Sequence, residues 1–324
     1  MHSRRQVLRT CLAAALAAAA STGAVAQSSK PITILVGFAP GGAPDAVARI
    51  VAEKLQTKLK RTVIVENKSG ANGQLALTAL QNGPTDGSVY ALTPPGMLTI
   101  HPTLYPKLAY DVSKIEPVIS ACTFEHAVVT GPSNPFKTLA EYLAWVKANP
   151  NRGFYAVPAL GSAPHFVGAL LAKEAGVSLQ PTPYRGGPPM LQDLLNGEVP
   201  LGINVLSNFT ELHRSGKLRV LATTGEKRSA LLPDVPTLGE LGYKQAQAQE
   251  WFSFVVKAGT PASETEAFAS AVREIVGMKD VGASLAAAGF TPAALGADEL
   301  RQDIASDTKR WAQVIKQTGF KLEN

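Results

Sequence analysis

Three short stretches of this chain place glycine just ahead of a proline that would open a helix. They are Gly41-Gly42-Ala43-Pro44-Asp45, Gly161-Ser162-Ala163-Pro164-His165 and Gly186-Gly187-Pro188-Pro189. Glycine lets the backbone approach a bound molecule closely. Proline suits the first helical turn, where its missing N–H costs nothing. The N–H groups that remain free, together with the helix dipole, favour an anion. Three such starts could surround a carboxylate without any arginine, provided they converge. Chain order does not show convergence, and each start alone is also common loop chemistry.

The side chains nearby have two readings each. His165 could hydrogen-bond a carboxylate, but packing at a helix start is the preferred reading. Asp45 suits the first turn of a helix through its charge. Tyr184 could line a pocket with its hydroxyl or belong to the core. Arg185 could meet an anion, although a surface arginine is the default, and Trp251 and Phe252 read as core near a domain junction. Enzyme chemistry finds little support. There is no G-x-S-x-G elbow, no H-E-x-x-H and no P-loop. Outside the first residues the histidines are His101, His126, His165 and His213, and with the cysteines they make no metal spacing. Gly70-Ala71-Asn72-Gly73 lacks the G-x-G-x-x-G spacing of a dinucleotide site. No catalytic residue, metal or cofactor is expected. No basic run with interleaved aromatics suggests nucleic acid.

Strands and helices alternate around these stretches. Ile32 to Phe38 is a nearly continuous apolar run, as in a buried parallel strand. The helix after Pro44 carries Ala46, Val47, Ile50, Val51 and Leu55 on one face. Strands are expected at Thr62 to Glu66, Val89 to Leu92, Ala127 to Val129, Phe154 to Val157, Leu201 to Val205, Leu218 to Thr223 and Phe252 to Val256. Helices are expected to about Leu80 after the Gly/Asn loop, from about Pro164 to Ala175, and from Pro188 to Leu195. Thr138 with Glu141 forms a capping-box pattern for one more. The tail reads as helical over Ala262 to Val276, Ala283 to Ala287 and Ala297 to Thr318. This alternation predicts an α/β fold with mainly parallel sheets.

The first 26 residues read as an export signal. Arg4, Arg5 and Arg9 precede an Ala-rich apolar stretch, and Ala24-Val25-Ala26 suits cleavage before Gln27. Ser3-Arg4-Arg5-Gln6-Val7-Leu8 also fits a twin-arginine signal, so the Sec and twin-arginine routes both stay open. Either ends in the periplasm. Cys11 precedes the apolar core and is not expected to be lipidated. Cys122 would then have no disulfide partner and reads as a small buried hydrophobe. The formal charge of +6 includes the three leader arginines; without them 28 basic residues stand against 25 acidic ones, a net +3. Nearly three hundred remaining residues suggest about two domains.

The ordered set of motifs resembles a known family. Val36-Gly37-Phe38-Ala39-Pro40-Gly41-Gly42-Ala43-Pro44-Asp45 resembles the P-G-G-x-x-D loop of receptors of the tripartite tricarboxylate transporter family, the Bug-type binding proteins. Val65 to Gly73 resembles their V-x-N-x-x-G-A-x-G segment, and His101-Pro102-Thr103-Leu104-Tyr105 their N-P-x-L-Y region. Tyr184 to Met190, Asp193 to Val199, Pro233 to Thr237 and Gly259-Thr260-Pro261 are also similar. Together they span nearly the whole chain beyond the leader. The resemblance implies a type II periplasmic-binding fold, two lobes joined by two crossover strands that close on a ligand. Residues 27–126 and 250–324 would form domain 1, and 127–249 domain 2. It also implies a small carboxylate held largely through backbone groups, a monomer, and permease subunits in the membrane as partners. On that pattern Gly41, Gly42, Ala43, Pro44 and Asp45 form one clamp, with Thr93 and Pro94 in the same lobe. Gly161, Ser162, Ala163 and His165 form the facing clamp, beside Tyr184 and Gly187.

Two departures stand out. Asn204 occupies a position where the family commonly has Asp, and Pro200 one where an acid is frequent. Loss of a cleft carboxylate would remove a partner for an amino group, so the expected ligand is a plain mono- or dicarboxylate, aromatic ones included, and not an amino acid. Two other roles fit an α/β chain of this kind: a component that presents its ligand to a signalling receptor, and a periplasmic hydrolase or isomerase.

Overall fold

Side chains along the first strand point alternately to two different cores. Ile32, Ile34 and Val36 of β1 (Ile32–Val36) join one apolar cluster, and Leu35 joins another. The period of two in a strand requires this when both faces are covered. The computed structural model, which describes residues 30–322, covers one face with α1 (Ala43–Leu59) and the other with α2 (Gln74–Asn82). The leader, Cys11 and the cleavage position at Gln27 lie outside the described residues. The chain continues through β2 (Val63–Asn67), β3 (Val89–Thr93), two short helices α3 (Gly96–Thr99) and α4 (His101–Leu104), and the 16-residue β4 (Ile115–Thr130). The middle holds α5 (Leu139–Ala148), β5 (Phe154–Val157), α6 (Ala163–Ala175), β6 (Gln180–Pro183), α7 (Gly187–Asn196), β7 (Gly202–Val205), α8 (Thr210–Arg214) and β8 (Arg219–Thr223). The last part is β9 (Gln249–Lys257), α9 (Ala262–Val276), α10 (Lys279–Ala287), β10 (Thr291–Pro292) and α11 (Ala297–Thr318).

The strands form two α/β lobes joined through β4. Their order is β2-β1-β3-β9-β4-β7-β5-β6, with β10 and β8 also pairing with β4. In the first lobe β1 pairs in parallel with β2 and β3. In the second, β5 pairs in parallel with β6 and β7. The crossover strands run against their neighbours: β9 pairs antiparallel with β3 and β4, and β4 pairs antiparallel with β7 and β8. The β4–β9 ladder ends at Glu125↔Gln249, and the next residue, His126, pairs with Val205. Just upstream of β9, the Ala248 N–H donates to Thr224 O and the Thr224 hydroxyl donates to Ala248 O. Both crossings between lobes therefore lie side by side.

Several elements depart from the sequence-based expectations. A strand was expected only over Ala127 to Val129, because Pro117, Ser120 and Thr123 interrupt the apolar run; pairing with β9 carries the strand through all three. Strand β6 holds Pro181 and Pro183 and escapes pattern reading; it sits at the sheet edge, where proline is tolerated. The capping pattern at Thr138 forms in part. The Glu141 N–H donates to the Thr138 hydroxyl oxygen at 3.2 Å, but the Glu141 carboxylate accepts from Lys137 N–H instead of Thr138. Cys122 is buried and free, and burial pushes its thiol up to about 12, so it is an inert core residue. The last helix crosses between lobes: Leu300 packs in a first-lobe cluster, Trp311 and Val314 with Phe166 and Leu170 of the second.

Candidate functional site

All three glycine–proline helix starts open onto one cavity of about 110 Å3 between the lobes. Its walls include Gly42, Ala43 and Pro44 from one start, Gly161, Ser162, Ala163 and Pro164 from the second, and Gly186, Gly187 and Pro188 from the third. The helix caps confirm the local reading: Gly42, Ser162 and Gly186 are the N-cap residues, and each helix has proline in its first two positions. First-turn N–H groups have no partner within their own helix. At α1 and α6 the proline leaves the N–H groups of Ala43, Asp45, Ala163 and His165. At α7 both Pro188 and Pro189 lack one, so Gly187 supplies the only first-turn donor. No lysine or arginine lines the cavity. Its attraction for an anion rests on backbone groups and helix dipoles, with the neutral amides of Asn72, Asn204 and Asn208 also in the wall.

The first clamp is held from behind by Asp45. Its carboxylate accepts from Gly41 N–H at 2.9 Å, Arg49 Nε at 2.9 Å and Asn67 Nδ2 at 2.9 Å, and the same Asn67 amide donates to Phe38 O at 3.0 Å. Burial alone would raise the Asp45 pKa, but these hydrogen bonds and the Arg49 charge hold it below the ordinary carboxylate value. Gly41 sits at φ +79°, in the left-handed region that glycine tolerates. Neither Gly41 nor Asp45 is part of the cavity wall. Replacing Asp45 by alanine strands the Gly41 and Asn67 donors. The expected result is a loss of about 1–3 kcal/mol in denaturant unfolding, with weaker binding because the loop loses its brace.

The second clamp is built the same way around a histidine. The His165 Nδ1 accepts from Gly161 N–H at 3.3 Å, the Ser162 hydroxyl donates to Ala159 O at 2.7 Å, and the Tyr155 hydroxyl donates to His165 O at 2.8 Å. Burial pushes the His165 imidazole down to about 4, which keeps the accepting nitrogen unprotonated at neutral pH. His165 packs against Phe166 and Phe320 and is not in the wall. Thr93 is buried outside the wall, while Pro94 and Asn204 line it. The Tyr184 hydroxyl donates to Asp193 Oδ2 at 2.7 Å and also stands outside the wall. Gly187 is tight: a Cβ there would lie 3.0 Å from Asn204 Nδ2 and 3.1 Å from Asn208 Nδ2.

The lobes touch across the cavity. Asn72 Nδ2 donates to Tyr105 Oη at 2.7 Å and to Leu160 O of the facing lobe at 3.4 Å. Leu104 and Ile100 share an apolar cluster with Val157 and Phe166. Sequence reasoning missed Asn72 as a site residue, because the loop around it was read as a failed dinucleotide motif and as a family-like segment without a role; its signal is the Gly-Ala-Asn-Gly run, where all four residues take positive φ. It also missed Phe38, Phe124, Phe252, His126 and Glu250, all of which line the cavity. Glu250 bears on the ligand argument: with Asn204 in place of an acid, the cleft still contains a carboxylate.

With this geometry in view, the comparisons are informative. The model of the tripartite tricarboxylate transporter family receptor matches residues 47–320. BugT of Bordetella pertussis is 34% identical over 307 residues, 94% of this chain and 94% of its own. This chain belongs to the tripartite tricarboxylate transporter receptor family. Two solved structures share its two-lobed fold. Rpa4515 of R. palustris, determined with adipate, has a TM-score of 0.86 at 28% identity and covers 90% of this chain and 98% of its own. MatC of Rhodopseudomonas palustris, with bound malate, has a TM-score of 0.80 at 27% identity and covers 88% and 99%. The family resemblance drawn from the motifs is thus borne out, as is the fold class.

Proposed function

We propose that this receptor captures a small carboxylate outside the cytoplasm, in the cavity between its lobes, and delivers it to the membrane permease of a tripartite tricarboxylate-type transporter. The observation that carries this reading is the convergence of three helix starts on a cavity with no cationic side chain in its wall. Adipate in Rpa4515 and malate in MatC support the ligand class. The receptor binds and releases its ligand unchanged, as a monomer in the periplasm. Among the described residues no helix is long and apolar enough to cross a membrane. Residues 1–26 serve as the export signal. Residues 27–126 with 250–324 form one lobe, the end of its last helix reaching across to the other, 127–249, and the two close as a clamshell around the ligand.

In this reading Gly42, Ala43, Pro44, Gly161, Ser162, Ala163, Gly187, Pro94 and Asn204 bound the ligand directly. Gly41, Asp45, Thr93, His165 and Tyr184 act from behind the wall by holding its loops. The test is a thermal-shift screen of the protein without residues 1–26, against small carboxylates and neutral controls of matched size. A carboxylate at a hundredfold its dissociation constant adds about 2.7 kcal/mol, expected as a rise of about 4–5 °C. Shifts confined to neutral solutes or amines would overturn the reading.

A further inference from the structure

The cavity carries one polar pair that the carboxylate reading does not use. His126 of β4 and Glu250 of β9 both line it, where the two crossover strands lie side by side. His126 Nε2 donates to Glu250 Oε2 at 2.8 Å. Both residues are buried, at 1% and 6% exposure. His126 Nδ1 is enclosed and has no hydrogen-bond partner. Among the described residues the Glu250 carboxylate accepts from His126 alone. Once the pair has bonded to itself, the remaining capacity of the carboxylate is entirely that of an acceptor. Buried acceptors of this kind are normally satisfied.

The rest of the wall gives the ligand a direction. A carboxylate is favoured at the helix starts and disfavoured beside Glu250, where like charges would be desolvated together. The wall also has an apolar part, Phe38, Met97 and the stacked rings of Phe124 and Phe252, 4.3 Å apart, with Phe124 edge-on to His126 at 5.7 Å. We propose that the His126–Glu250 pair is a second recognition point, which takes a hydrogen-bond donor at the far end of a ligand whose carboxylate lies at the helix starts. The ligand class is therefore a carboxylate with an apolar middle and a hydroxyl or ammonium at its other end. This rests on the carboxylate reading above and adds the chemistry of the opposite end. It also removes the ground for excluding amino compounds, since that argument assumed a cleft without an acid.

The test is isothermal titration calorimetry on the protein without residues 1–26, with matched sets of ligands. One set is butanoate, succinate, 4-hydroxybutanoate and 4-aminobutanoate. The other is hexanoate, adipate, 6-hydroxyhexanoate and 6-aminohexanoate. In at least one set the hydroxy or amino member is expected to bind at least tenfold tighter than both the dicarboxylate and the unsubstituted acid. Which of the two leads tells a neutral donor from a cationic one. In Glu250→Gln, which removes the charge but keeps the shape, the advantage over the dicarboxylate is expected to shrink at least tenfold. If the dicarboxylate or the unsubstituted acid binds as well as the donor-bearing member in both sets, the second recognition point is wrong and the carboxylate reading stands. If no member of either set binds, both are overturned. The wild-type selectivity decides the question even if the variant fails to fold.

Discussion

Gly161→Val is expected to lower carboxylate affinity by about ten- to a hundredfold and to reduce stability as well, through two separable effects. Gly161 sits at φ +75°, and a Cβ built there would lie 2.3 Å from Leu104 Cδ2 on the facing lobe. The backbone strain of a branched residue at positive φ costs about 1–2 kcal/mol. It is present whether the cleft is open or closed, so it appears in unfolding and not in binding. The overlap with Leu104 exists only when the lobes meet. Overpacking of this kind costs about 1–3 kcal/mol, and because it falls on the closed state alone it lowers affinity.

The second effect has an internal control. Adding Leu104→Ala to Gly161→Val removes the overlap but leaves the strain. The double variant should recover most of the affinity and none of the stability lost to φ. Calorimetric binding and denaturant unfolding on the four members of the cycle separate the two contributions. Undiminished affinity in Gly161→Val would mean that the contact between Gly161 and Leu104 is absent from the ligand-bound state.

The helix starts were legible in the sequence because each is written in consecutive residues. Glycine, proline and the following apolar face are local signals, and so were the long tail helices. Convergence is a different kind of fact. Gly42, Ser162 and Gly187 meet only because β4 and β9 carry the chain from one sheet to the other, and half of β4 was hidden behind Pro117, Ser120 and Thr123. The His126–Glu250 pair joins residues 124 positions apart, and neither has a local pattern to announce it. The supporting roles of Asp45 and His165 were half visible. The default readings, a helix first turn and packing, describe where the structure puts them. What could not be read is that each also holds the N–H of the glycine four residues before it, Gly41 and Gly161.

Stability is expected to fall by about 3 kcal/mol between pH 6.5 and pH 4, and the sign follows from two buried histidines and the half-buried Asp307. Burial pushes the imidazoles of His101 and His165 down to about 4 from the ordinary 6.5. As pH falls below 6.5 the unfolded chain takes up these protons and the native protein does not, so the native state loses ground until pH 4. Each histidine contributes a loss of up to about 3 kcal/mol over that window. Asp307 opposes them. Burial raises its carboxyl to about 6, with Arg310 pulling it down and Glu250 and Asp303 adding to the rise. The native protein therefore takes up that proton before the unfolded chain does, which regains about 3 kcal/mol over nearly the same range. Two losses against one gain leave the net fall. Asp45 lies outside the window, since its depressed pKa matters only below about 3.8. Chemical unfolding at stepped pH checks the balance. His101→Gln should remove roughly half of the histidine contribution and flatten the curve, while Asp307→Asn should steepen it. A wild-type curve that is level from pH 6.5 to 4, with His101→Gln unchanged from it, would show that His101 takes up its proton alike in the native and unfolded states, leaving His165 and Asp307 to cancel.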